Sequence, residues 1–454
     1  MSDRIIRLGG SQVYQAASIR NLVNWLKHQE KRKFIVISAV TAISETINHA
    51  VDNAAGVDDS QFRKSLLNVY LERTGKKPSA AYRELVEQVT GIIRGISLTG
   101  DYSIALRDHV VSYSEKLTAE IFKTLLHDHG AKVSVVLPEH LGLLVTADYG
   151  NATYLSLNRQ VVQELPKETF LLPGSYGLTE AGKTARAGIS AADYTAAFLT
   201  RELGIPKLEL WGIEYDFHRA DLSIIPASPK IYRLTYSEAS ELAYFDHYSF
   251  HPRTVEPLEG KHIPVEVINT DTGKADTIIN TETYVEKQIV KSVACTEDIS
   301  LLKLDGPGVG LKPGILARVT SRLNQAGINI KSVITSQTSI NLILERNTGK
   351  TALEFVRQMG FSSVKEISIK LDVSLVGVVG HGMQQNYGVS AKIFGAVAEH
   401  QINVVLSGSG ASDMVSYLVV KTTDKEKSVR VIYDAFFNSQ KENQKNYNYE
   451  KQIS

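Results

Sequence analysis

DGPGVGLKPGILARVTSRLNQAGINIKSVITS, residues 305–336, is a glycine-rich turn, a run of helical period and a short apolar strand, and the chain writes this order twice. The apolar strand ISLLKL (299–304) precedes it. The second copy opens on VSLVGVVG (373–380), turns through HGMQQNYG and continues into the helical VSAKIFGAVAEHQ. It closes on INVVLSGSG (402–410), the counterpart of INIKSVITS (328–336). A repeated strand–turn–helix–strand unit is one supersecondary module used twice, and it constrains the architecture more than any single motif does.

Upstream of residue 290 the pattern is different. Short apolar runs alternate with helical patterns: RIIRLGG (4–10), KFIVISAV (33–40), KVSVVL (132–137), KETFLLPG (167–174), PKLELWG (206–212) and IPVEVIN (263–269) read as strands. QAASIRNLVNWLKHQ and TAISETINHAVDNA have helical spacing between them. This alternation predicts a layered α/β fold with a mainly parallel sheet. Residues 56–80 read as a peripheral helical insertion, and the polar stretch from Lys441 reads as a tail.

Bulk properties narrow the function. The 454 residues suffice for two or more domains. Fifty Lys and Arg against 49 Asp and Glu leave no basic field, so neither nucleic acid nor an anionic membrane is expected as a partner. The single cysteine, Cys295, excludes an intrachain disulfide and a multi-cysteine metal site. The charged start MSDRIIRLGG has no apolar signal core, and a cytoplasmic protein is expected.

The repeat, with a glycine turn before each first helix, resembles ACT domains, the amino-acid-sensing modules of biosynthetic enzymes. An α/β kinase-like region followed by two such modules resembles aspartokinases of the amino acid kinase family. ELAYFDHYSFHPRTVEP (241–257) is similar to the family's ELAYFGAKVLHPRT segment, VTADYGNA (145–152) to TDDNFGNA, and VVSYSEKLTA (110–119) to SFGE-LS. The resemblance implies a layered αβα kinase-like domain over 1–290 and ferredoxin-like ACT domains over 291–372 and 373–442. The leading strand of the first is also a candidate strand of the second, and a polar tail spans 443–454. It also implies a homodimer through the ACT domains.

Position by position, the family's KFGGTSV becomes Arg7 to Val13. Gly9 and Gly10 stay, where backbone N–H groups can approach phosphate oxygens. Arg7 stands for the family's lysine and Ser11 for its threonine. Glu115 keeps the SFGE carboxylate, used near the substrate amino group, and is expected at a helix start. Ser38, Asp193 and Asp221 are the other nucleotide-side positions that the resemblance implies.

Other positions have changed. Counting from Gly182 to Asp193 lays TTTLGRGGSD on the chain without a gap and puts the substrate-clamping arginine on Ile189, which has no side-chain donor. Arg186 lies three residues earlier, and catalytic placement tolerates little displacement, so it is not expected to substitute. The family's WTDVDGIYTADPR becomes Trp211 to Ser223, with Gly212-Ile213 for Thr-Asp and Asp216 for the glycine beneath the adenosine. Ile268 replaces the lysine of VKNT. His251, in HPRT, is expected to be structural, since no second ligand at metal spacing accompanies it.

Because phosphoryl transfer depends on positioning and charge stabilisation, these changes predict an eroded site. The expected protein is inactive or strongly impaired, and acts as an amino-acid-sensing or regulatory subunit of an active pathway enzyme. One alternative is a divergent aspartate kinase using Mg-ATP to form 4-phospho-L-aspartate, and another is a kinase-fold enzyme with a changed acceptor. The effector positions implied for the first module are Val309, Gly314, Ile315, Leu316, Asn329, Ile330, Lys331, Ser336 and Gln337. Lysine-sensing relatives carry an aspartate where this chain has Lys331, so a neutral or acidic amino acid is the expected effector.

Overall fold

The computed structural model describes residues 3–9, 16–27, 31–188, 191–212, 215–245, 250–281, 289–310, 312–409 and 412–438. They form two compact units. The first is built on Met1–Phe217, Tyr232–Ala243 and Tyr248–Glu282, the second on His218–Ile231, Tyr244–His247 and Thr283–Ser454.

The strands of the first unit are β1 (Arg4–Leu8), β2 (Lys33–Ile37), β3 (Val133–Val135), β4 (Leu144–Val145), β5 (Tyr154–Ser156) and β6 (Thr169–Pro173). They continue with β7 (Tyr176–Leu178), β8 (Thr184–Arg186), β9 (Leu208–Trp211), β10 (Arg233–Thr235), β11 (Val265–Ile268) and β12 (Ala275–Asn280). Eight of them form one sheet in the order β10-β12-β11-β9-β1-β2-β6-β3. Only the β11–β12 contact is antiparallel; every other neighbour pair is parallel. Every residue of β2, β6 and β9 is buried, as it must be when helices cover both faces of a parallel sheet.

The helices are α1 (Ala16–Lys27), α2 (Thr41–Asp52), α3 (Asp59–Thr74), α4 (Ala80–Thr99), α5 (Ile104–Asp128), α6 (Arg159–Glu164) and α7 (Ala192–Glu202). The charged insertion is α3, which begins on an Asp58 cap and ends on left-handed Gly75. It buries Phe62, Leu66, Val69 and Tyr70 in the same core as α4 and α5. A second small sheet, β5-β4-β7-β8, has no counterpart in the sequence reading. Its strands have only two or three residues, too few to show a period.

Gly174, just after β6, sets how closely α7 approaches the sheet. A Cβ there would lie 2.5 Å from the Ala192 side chain, 2.8 Å from its Cα and 3.1 Å from the Ile37 carbonyl oxygen. Gly174→Val is therefore expected to cost about 1–3 kcal/mol, because backbone has to move. Urea unfolding measures it, and an unchanged midpoint would show that α7 shifts freely.

The second unit holds two four-stranded antiparallel sheets. The first has the order β15-β16-β14-β17, from β14 (Ser300–Asp305), β15 (Ile330–Thr335), β16 (Ser339–Leu344) and β17 (Glu366–Lys370). α8 (Ile315–Gln325) and α9 (Gly349–Arg357) pack on it through Val319, Leu323, Ala352 and Val356. The second sheet has the order β13-β18-β20-β19, from β13 (Val290–Thr296), β18 (Val373–Gly380), β19 (Val404–Gly408) and β20 (Val415–Lys421). Its helices are α10 (Val389–Glu399) and α11 (Lys425–Tyr433). β13 precedes the first module in the chain yet pairs with β18, taking the sheet position that β17 holds in the first module. His218–Ile231 packs here too: Ala220 bridges Val293, and the Ser292 hydroxyl donates to the His218 carbonyl.

Candidate active site

Arg7 sits on the central strand β1, between Val36 of β2 and Leu210 of β9. It is 4% exposed. Its Nε donates to the Asp193 carboxylate at 2.6 Å, and its Nη2 donates to the Ser38 hydroxyl at the end of β2. Asp193 is 1% exposed in the first turn of α7, where the helix dipole favours a negative charge. The Tyr215 hydroxyl donates to Asp193 at 2.7 Å and the His251 N–H at 3.1 Å. A buried charge pair needs such further hydrogen bonds to offset its desolvation. The structure thus brings Arg7, Ser38 and Asp193 together at the carboxyl ends of the strands, where ligands bind in open α/β sheets.

Gly9 differs from its expected use. Its N–H donates to the Trp211 carbonyl at 3.1 Å, so it extends the β1–β9 pairing and is not directed at a phosphate oxygen. Gly10, Ser11, Ile189 and Ile213 lie outside the described residues. Asp221 caps a turn by accepting the Ser223 N–H, within the stretch that packs in the second unit. Asn269, beside Ile268, caps the turn to Asp271 and Thr272.

Glu115 is not at a helix start. It lies in the middle of α5 and is 2% exposed. The VVSYSEKLTA segment continues a helix that begins at Ile104 on a Ser103 cap, eleven residues before Glu115, a start invisible from the motif alone. Burial pushes the Glu115 carboxyl up to about 7, against the pull of Arg186. Arg186 does reach the site: its Nη2 stands 3.8 Å from Glu115 Oε1. Asp108, two turns before Glu115 on the same face of α5, explains the placement. Its carboxylate accepts the Arg186 N–H at 2.8 Å and the Gly150 N–H at 2.7 Å, stapling β8 and the ADYG loop to α5. Ser175, next to Gly174, holds φ at +70°, a strained backbone for a residue with a side chain.

Sequence reasoning missed Asp108, Lys116 and Ser175. Lys116 is buried, 2.8 Å from Glu139, which also accepts the Tyr176 hydroxyl at 3.0 Å. The signal available in the sequence was weak: Asp108, Glu115 and Lys116 are three of the seven Asp, Glu, Lys and Arg residues of α5, and the residue types alone do not show which of them are buried. His251 accepts the Arg253 N–H through Nδ1, and Arg253 binds Asn151, Ala152, Thr153 and Tyr194. Among the described residues no His, Cys, Asp and Glu group could hold a metal.

In the first repeat module, the Gly306 and Gly310 N–H groups donate to the Thr338 and Gln337 carbonyls. This ties the glycine turn, with Val309 buried in it, to Ser336 and Gln337. Gly314 caps α8 at φ +87°, so Ile315 and Leu316 open the helix. Asn329 immediately precedes β15, and Ile330 and Lys331 are its first two residues. The Lys331 ammonium is 3.0 Å from the Asp298 carbonyl, 3.4 Å from its carboxylate and 5.1 Å from the Tyr244 ring centre.

Residues 4–269 match the model of the amino acid kinase family. The chain belongs to that family. Residues 294–354 and 376–436 each match an ACT domain. Aspartokinase 2, chloroplastic, of Arabidopsis thaliana is 25% identical, over 95% of this chain and 84% of its own. Lysine-sensitive aspartokinase 3 of Escherichia coli (strain K12) is 23% identical, over 96% of this chain and all of its own. In structure the chain is similar to E. coli aspartokinase III in complex with aspartate and ADP, with TM-score 0.78 and 21% identity over 96% of this chain and 100% of that one. At that identity the likeness is one of fold.

Proposed function

We propose that the chain is a divergent aspartate kinase that transfers the γ-phosphoryl group of Mg-ATP to a carboxylate of aspartate. The observation that carries this reading is the buried Arg7–Asp193–Ser38 network. A site relieved of its chemistry is not expected to keep a buried cation on the central strand, held by a carboxylate with three donors. Arg7 supplies the fixed positive charge that phosphoryl transfer requires, and Asp193 and Ser38 hold it in place. Glu115 and Lys116 set the polarity of the neighbouring acceptor side. The whole-chain similarity to aspartokinases supports the same reading.

A regulatory subunit with little activity is the second reading. The engaged Gly9 N–H favours it, along with Ile268 in place of the lysine. Hydroxylamine trapping with ATP, Mg²⁺ and a panel of carboxylic and amino acids decides between the two. Hydroxamate formed only with aspartate is the expected result. Background levels with every acceptor would favour the regulatory reading.

The ACT domains, in this proposal, bind an amino-acid effector, and the chain works in the cytoplasm as a homodimer. With Lys331 supplying a cation at one of the effector positions that the resemblance implies, a thermal-shift screen of the twenty amino acids is expected to pick out threonine, methionine or an acidic amino acid. A ligand at a hundredfold excess over its Kd stabilises the dimer by about 2.7 kcal/mol. A shift with lysine alone would contradict the assignment.

A further inference from the structure

Arg186 occupies a position where the TTTLGRGGSD pattern carries threonine, so nothing in the family pattern gives it a role. Its setting does. The Arg186 guanidinium and the Glu115 carboxylate face each other at 3.8 Å, beyond hydrogen-bonding distance. Arg186 Nε and Glu115 Oε2 are both buried and have no hydrogen-bond partner among the described residues. The Ser175 hydroxyl is close to the Glu115 carboxyl but not aligned for a hydrogen bond. Buried polar atoms left without partners are uncommon, and each calls for an explanation.

One chemical class satisfies both sides at once. A zwitterionic α-amino acid offers a carboxylate to the guanidinium fork and an ammonium to the carboxylate. The two protein groups are already held apart, because Asp108 fixes the Arg186 backbone and α5 fixes Glu115. Arg7 and Arg186 both act on Glu115 electrostatically, so this corner adjoins the Arg7–Asp193 network.

We propose that Arg186, not the residue at position 189, receives the α-carboxylate of the amino-acid substrate, whose ammonium is held by Glu115. This rests on the reading of the chain as an amino-acid kinase and names the contact that gives it its acceptor. The loss of arginine at Ile189 is then a relocation of the clamp to β8, three residues earlier in the chain.

Calorimetry on the full chain, with L-aspartate and then each other amino acid as titrant, tests it. Arg186→Gln is expected to weaken amino-acid binding roughly ten- to a hundredfold, the size of one lost charge-assisted hydrogen bond. Mg-ATP affinity is expected to stay unchanged. Arg186→Lys, which keeps the charge but not the fork, is expected to fall between the two and guards against a folding defect. Binding of another amino acid that is weakened in Arg186→Gln would support the clamp while overturning the assignment of aspartate. Equal binding by wild type and a folded Arg186→Gln, or binding of no amino acid to the wild type, would overturn the clamp.

Discussion

Replacing Arg7 by methionine is expected to cost about 3–5 kcal/mol of stability and to bring phosphoryl transfer to background. The cost follows from breaking a buried ion pair on one side only. Asp193 would keep its bonds from Tyr215 and His251 but lose the 2.6 Å contact to the guanidinium, the one charged donor it has among the described residues. Ser38 would lose its donor as well. Arg7→Lys restores the family's residue and keeps the charge. Its ammonium lacks the planar fork that reaches Asp193 and Ser38 together, so partial activity and a smaller loss of stability are expected. Urea unfolding and hydroxamate formation read both effects. If Arg7→Met unfolds within about 1 kcal/mol of wild type, the pair is not the structural centre of the site.

The second large effect is in pH. The Glu115 carboxyl is raised from 4.5 to about 7 by burial. Between those values the native state holds a proton that the unfolded chain has already released. The stability due to that proton is full below the unfolded value and is lost as pH rises through the folded one. The difference amounts to about 3 kcal/mol. Glu115→Gln keeps the shape and removes the titration. Relative to this variant, wild type is expected to lose about 3 kcal/mol between pH 4.5 and 7 and then to level off. The absolute stability of the variant will be offset, because Arg186 loses its partner. The slope is therefore the quantity to compare. Parallel stability curves for the two proteins from pH 5 to 8 would falsify the assignment of a protonated, buried Glu115. The same variant is expected to lose amino-acid binding, because a neighbouring ammonium draws the carboxyl into its ionised form and a carboxamide has no such form.

The α/β alternation, the doubled module and the family are legible in the residues alone. Strands such as KFIVI and TFLLP are wholly buried, and an unbroken apolar run is the direct signature of that environment. Gly314 and Gly388 mark module turns because left-handed backbone at a helix cap favours glycine. Those constraints act through residues near in the chain, so they leave a local pattern.

The site was legible only in part. Arg7, Ser38 and Asp193 could be named from motifs, but that they share one hydrogen-bonded network depends on strands that pair across about 200 residues. Glu115 was misplaced at a helix start because its helix begins far upstream. Arg186 was discounted on the ground that three residues of displacement spoil a catalytic group. That argument assumes the chain path is fixed, and here Asp108 on another helix holds the β8 backbone and carries Arg186 to Glu115. The exchange of β13 into the second module's sheet was likewise a matter of tertiary pairing. Hydrogen bonds and charges between distant segments are set by where the packed layers put them. A local pattern can name their partners, and only the packing decides which of them meet.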